Sequence, residues 1–322
     1  MLECSDKIAT LPLMSDEEMN SEDLVTEEML WERIPETQGL DRANTYYELS
    51  ARIYARGQYD EALALAETAR DIYAELEPGS ANDGLAQAYS AIGYNLNQLK
   101  RMDEAAHAMS KAVELLRETK SPLAIDLACT LGEWWFSSKE FRKAIECMRD
   151  CVQEHLVEDN DSGAANDLHL IGCAHRELGE YIEALAAFQE ARAIFKKLKE
   201  VINVARCDQK IAHCYIALGD GESGLVAAQK SLDVFVTAHD HRRETYSMYE
   251  LGKAQSLCGA LDDGLDTLER VLEITTESEW KDFEFIVEIE QKIVDILRKL
   301  GRMDEAQEIE RRLKSVTDVL ED

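Results

Sequence analysis

The residues of this 322-residue chain best suited to chemistry are its seven histidines and eight cysteines. His169 and Cys173 stand four apart, which puts them on one face of a helix. His213 follows Cys173 by forty residues. Imidazole and thiolate are the donors zinc prefers, but zinc sites usually draw on a closely spaced pair such as C-x-x-C, and none occurs. The reading therefore assigns no metal and no cofactor. Cys147 and Cys151 lie one helical turn apart, where packing accounts for them. Gly219, Gly221 and Gly224 spell G-x-G-x-x-G, yet a dinucleotide site needs a strand ahead of the glycines, and here helical periodicity precedes them. Asp159, Asp161 and Gly163 begin like a calcium loop, but Leu170 stands where the bidentate glutamate belongs. Asn160-Asp161-Ser162 matches a glycosylation acceptor without other signs of secretion. No nucleophile, base and orienting group recur at catalytic spacings, so the chain is expected not to be an enzyme.

A second set is electrostatic. Arg206, Lys210 and His213 follow i, i+4, i+7 and share one helix face. They stand out because the chain carries 65 acidic against 35 basic residues, a net charge of −30. That balance argues against a nucleic-acid backbone or an anionic membrane as partner, both of which need clustered Lys and Arg. Four prolines, 7% aromatics and abundant Ala, Leu and Glu favour helix over strand. No run approaches the roughly 20 apolar residues of a membrane span, and the first residues lack the pattern of a signal peptide. The scattered cysteines suggest reduced thiols and a cytoplasmic setting.

The elements that must position these residues show in a repeat. GQYDEALALAETA from Gly57 returns as KRMDEAAHAMSKA from Lys100, KEFRKAIECMRDC from Lys139 and GEYIEALAAFQEA from Gly179. Three further copies start at Gly219, Gly259 and Gly301, so the period is close to 40 residues. Each start is a turn between two amphipathic helices, and glycine there supplies the left-handed cap that ends the first one. An aliphatic residue precedes each turn by eight positions: Leu49, Ile92, Leu131, Ile171, Ile211, Leu251 and Ile293. The following residue is small in six of seven copies, and Ala or Gly recurs five residues after the turn. Small residues on both helices let them cross closely.

This order of small, aliphatic and aromatic residues resembles the tetratricopeptide repeat over about residues 41 to 317. The longer period is similar to the variant in kinesin light chains and bacterial peptide-sensing regulators. The resemblance implies an all-α fold, a right-handed α-α superhelical solenoid of about seven helix-turn-helix repeats spanning 39–322 and ending in a polar capping helix. It also implies a concave peptide-binding groove lined by the first helices. Position by position, that groove would present Asn44, Tyr47, Tyr54, Gln87, Tyr94 and Asn97, then Asp126, Glu133 and Phe136. Further along come Asn166, His169 and Arg176, then Arg206, Gln209, Lys210 and His213, and finally Tyr246, Tyr249 and Lys253. Arg176, Arg206, Lys210, His213 and Lys253 would make its later repeats locally positive, with Asp126 and Glu133 giving the groove an electrostatic direction.

Residues 1–38 stand apart, with eleven acids, two bases and no repeat pattern. They are expected to be a partly flexible acidic segment with a short helix near 20–34, which could fold back on the groove through Leu30 and Trp31. The function that follows is a non-enzymatic adaptor holding a protein or peptide segment, its acidic stretch or C-terminal carboxylate at the positive repeats. One alternative is a sensor whose superhelix responds to a short signalling peptide. Another is an acidic nucleic-acid mimic that sequesters a basic protein.

Overall fold

A computed structural model describes residues 26–320, apart from 78, 80 and 281 and the side chains of 315–320. Every regular element among the described residues is helical. The chain forms two compact units, Met1–Glu154 and His155–Asp322.

The first unit opens with α1 (Glu27–Arg33), which Thr26 caps by accepting the Met29 N–H. The hairpins α2 (Gly39–Ala55) with α3 (Tyr59–Glu75) and α4 (Asn82–Gln98) with α5 (Met102–Glu118) follow. Next come α6 (Leu123–Ser137) and α7 (Phe141–Val157), the latter lying in this unit as far as Glu154. The second unit holds α8 (Asp161–Glu177) with α9 (Tyr181–Leu198) and α10 (Val201–Ala217) with α11 (Gly221–Thr237). It continues with α12 (His241–Leu257) and α13 (Leu261–Glu277), then α14 (Phe283–Lys299) and α15 (Met303–Leu320).

All seven turn starts read from the repeat have positive φ, between 62° and 88°. Five are glycines, and Lys100 and Lys139 adopt the same left-handed cap at the steric cost a Cβ carries there. The small residues act as anticipated. A Cβ at Gly172 would stand 2.7 Å from the Phe188 ring, and one at Gly264 would stand 2.9 Å from the Gly252 carbonyl. Ser50, fully buried, donates to the Ala62 carbonyl at 2.7 Å and ties α2 to α3.

One expectation of the sequence reading is corrected, and part of another lies outside the described residues. Residues 1–25 of the acidic segment lie outside the described residues. Leu30 is fully buried against Leu49, Ile53 and Leu65, so it belongs to the core of the first unit and cannot anchor a mobile segment in a groove. Trp134 is half-buried, its ring meeting Tyr94 edge-on with centroids 5.5 Å apart. The nucleotide-like glycines serve the fold: Gly219 makes the left-handed turn, while Cβ atoms at Gly221 and Gly224 would strike Cys258 Sγ and Ile216. The calcium-like loop is a helix start, with the Asn160 side chain accepting the Gly163 N–H and Asp161 paired to Lys197 at 2.7 Å.

Candidate functional site

In the first unit, Asn44 and Gln87 are exposed, as is Asp126. Asn44 accepts a hydrogen bond from the Tyr73 hydroxyl, which joins α2 to α3. Tyr47, Tyr54, Asn97, Glu133 and Phe136 are half-buried. Gln98 donates to the Tyr54 hydroxyl at 3.3 Å, a contact between α2 and α4. Tyr94 is buried beneath Trp134, and burial raises the pKa of its phenol. At these positions the first unit offers amides, aromatic edges and the acids Asp126 and Glu133.

The second unit is different. Asn166 is exposed at the start of α8, and Arg176, Arg206, Lys210, His213, Tyr246 and Lys253 are half-buried. His169, Gln209 and Tyr249 are buried, contrary to the expectation that they face a ligand. The reason is the seam between consecutive first helices. Gln209 on α10 donates to Ser247 at 3.0 Å and to the Arg243 carbonyl at 3.2 Å, both on α12. The Tyr249 hydroxyl donates to Glu288 on α14 at 2.8 Å, and Tyr246 reaches Asp282 at 3.4 Å. Polar residues spaced about one repeat apart hold neighbouring helices together, which removes them from the surface.

Glu250, which the sequence reading passed over, organises that seam. It receives Lys253 at 2.9 Å, and His213 meets its other oxygen at 3.0 Å. Lys253 also lies over the Tyr249 ring, 4.6 Å from its centroid. Burial pushes the Glu250 carboxyl up, but the Lys253 ammonium and the His213 hydrogen bond outweigh it and hold its pKa at about 2. Two of the five anticipated groove cations are thus engaged internally. The signal was present in the spacing, since Lys253 follows Glu250 by three residues and Glu250 follows Lys210 by one full period.

Arg176, Arg206 and Lys210 form a second group. Arg206 donates to the neutral amide oxygen of Asn203 at 3.1 Å, and Arg176 pairs with its neighbour Glu177. All three cations bear on one imidazole. His169 is buried, and that burial together with the charges of Arg206, Lys210 and Arg176 keeps its pKa well below the ordinary histidine value. The ring packs edge-on against Phe188 at 5.4 Å and sets Nδ1 3.9 Å from Cys173 Sγ. Its Nε2 has no hydrogen-bond partner among the described residues. His213, the third member of the zinc-like set, turns to Glu250 instead of joining His169 and Cys173. Cys207 and Cys214 are buried thiols pushed up to about 12, chiefly by desolvation, and none of the seven described cysteines forms a disulfide. Cys147 donates to the Ala128 carbonyl at 3.2 Å, in keeping with packing.

Among the described residues no helix is long and apolar enough to cross a membrane. Two tetratricopeptide-repeat family models match, one over residues 41–118 and one over 168–198. No curated protein matches the chain in sequence. Among solved structures, a signal-transduction ATPase with a tetratricopeptide-repeat sensor from Pyrococcus horikoshii aligns over 91% of this chain, with a TM-score of 0.64 and 15% identity. This chain spans 45% of that protein. The apo form of RapI aligns over 87% of this chain and 98% of its own, with a TM-score of 0.56 and 14% identity. BtubC from P. vanneervenii aligns over 67% of this chain and 93% of its own, with a TM-score of 0.50 and 15% identity. At these identities the likeness is one of fold.

Proposed function

We propose that this tetratricopeptide-repeat protein is a non-enzymatic, cytoplasmic adaptor whose second unit holds a protein or peptide segment by an acidic stretch or a free C-terminal carboxylate. The observation that carries this reading is the grouping of Arg176, Arg206 and Lys210 around the buried, neutral His169 in a chain of net charge −30. All three positive charges act on that one imidazole. An anionic group placed there would receive charge-assisted hydrogen bonds, which are about twice as strong as neutral ones. The arginine fork suits a carboxylate held through both oxygens. Exposed Asn166 adds a side-chain amide near the start of α8, a fit partner for peptide backbone.

Fluorescence anisotropy with labelled peptides ending in a free acidic residue tests the reading. Saturable binding that weakens with salt, and is lost when the same peptides are amidated and their acids neutralised, is expected. Equal binding of the acidic and neutral series contradicts it.

The sensor reading has one supporting observation of its own, the seam bonds from His213 to Glu250 and from Tyr249 to Glu288. A ligand that competed for those groups would alter how α10, α12 and α14 sit together. Hydrogen exchange in these helices should then change on peptide binding, whereas an adaptor with a fixed surface leaves it unaltered.

A further inference from the structure

A cavity of about 150 Å³ opens beside α12, α13 and α14 in the second unit. Its floor is apolar, with Leu268 and Ile296 both buried. Its polar lining is Lys253, Lys292, Lys299, Ser256 and a single carboxylate, Asp295. Three ammonium groups against one acid reverse the balance of the whole chain.

The lysines are not equivalent. Lys253 is fixed by Glu250 and by the Tyr249 ring, and only 11% of its side chain is accessible. Lys292, Asp295, Ile296 and Lys299 follow i, i+3, i+4, i+7, so α14 presents them on one face. Lys292 reaches Asp295 at 3.6 Å with both side chains about half exposed, a contact of little energetic weight. Lys299 makes no ion pair among the described residues. A cation in the last turn of a helix is favoured by the helix dipole, which accounts for Lys299. It does not account for Lys253 or Lys292, nor for the recess between them.

We propose that this cavity binds a compact oxyanion carried on an apolar stem, the chemistry shared by an aromatic phosphomonoester and an aryl carboxylate. A volume of about 150 Å³ is sufficient for a benzene ring. The stem would lie against Ile216 and Leu257, the apolar lining side chains that are not buried, and the head would meet Lys292 and Lys299, with the Ser256 hydroxyl as a further donor. Apart from Lys253, the cavity uses none of the residues assigned to peptide capture, so either reading stands if the other fails.

Heteronuclear NMR titration of the full chain with phenyl phosphate, and separately with phenylacetate, tests the site. Saturable shifts at the amides of 253–257 and 292–299 are expected with at least one probe. The tighter probe identifies the head group as phosphate or carboxylate. In the Lys292→Ala/Lys299→Ala double variant, both side chains being solvent-facing and outside the core, half-saturation should need about fivefold more probe. No saturable shift with either probe, or an unchanged titration in the double variant, overturns the proposal.

Discussion

At the scale of single residues, His169 and Glu250 carry opposite burdens, and pH separates them. The His169 imidazole is kept neutral by burial and by three neighbouring cations, whereas in an unfolded chain it protonates below about 6.5. Its folded pKa is depressed, so the unfolded state binds more protons as pH falls and stability declines below that point. Urea midpoints at pH 7.5 and 5.5 should therefore differ less in His169→Leu than in the parent chain. Equal differences would remove the assigned role. Glu250 is also depressed, to about 2 against an ordinary 4.5, so its contribution is present above pH 4.5 and lost as pH falls towards 2. Its removal leaves Lys253 half-buried without its carboxylate and costs His213 its partner. Glu250→Ala is expected to cost about 3 kcal/mol in urea denaturation at neutral pH. A change under 1 kcal/mol would mean the pair is solvated.

At the scale of elements, what the sequence disclosed and what it hid divide along the distance over which each feature is decided. The left-handed turns at Gly57 through Gly301 are settled by local backbone sterics, so they were legible, including at Lys100 and Lys139 where no glycine announces them. The small residues were legible too, because close crossing within one hairpin repeats in every copy. The assignment of Tyr94, His169, Gln209 and Tyr249 to a ligand face was not reliable. Whether such a residue meets solvent depends on how far one first helix slides against the next, and a repeat pattern fixes the period but not that offset. Leu30 was misread for a related reason, since a single short helix outside the repeat has no second copy to reveal its buried face. The crossing itself can be tested. At Gly264 a Cβ would meet backbone atoms of α12, the Gly252 carbonyl at 2.9 Å and the Ser256 nitrogen at 3.1 Å, which cannot swing aside. Gly264→Ala should cost about 1–3 kcal/mol, as overpacking does. Gly172→Ala, where the obstacle is the Phe188 side chain, should cost less because a ring can turn. Equal losses would show that both crossings relax in the same way.

At the scale of the whole molecule, a protein of net charge −30 sets Arg176, Arg206 and Lys210 where all three act on one buried imidazole of its second unit. Charge of one sign set among low-dielectric walls focuses the field and raises the local concentration of opposite charge. Tetratricopeptide-repeat models match at 41–118 and 168–198, and the second match contains both His169 and Arg176. The rival account is that Arg176, Arg206 and Lys210 only balance the chain's own surplus of acid. It finds partial support in the Arg176–Glu177 pair and none in Arg206, which donates to the neutral Asn203 amide. The most direct measurement is the affinity of Arg206→Ala/Lys210→Ala for a peptide with an acidic C-terminus, taken together with its melting temperature. Binding should weaken at least about tenfold, as the loss of charge-assisted contacts requires, while the melting temperature stays near that of the parent. Unchanged affinity with a lowered melting temperature would assign both residues to structure and contradict the proposed capture of an anionic segment.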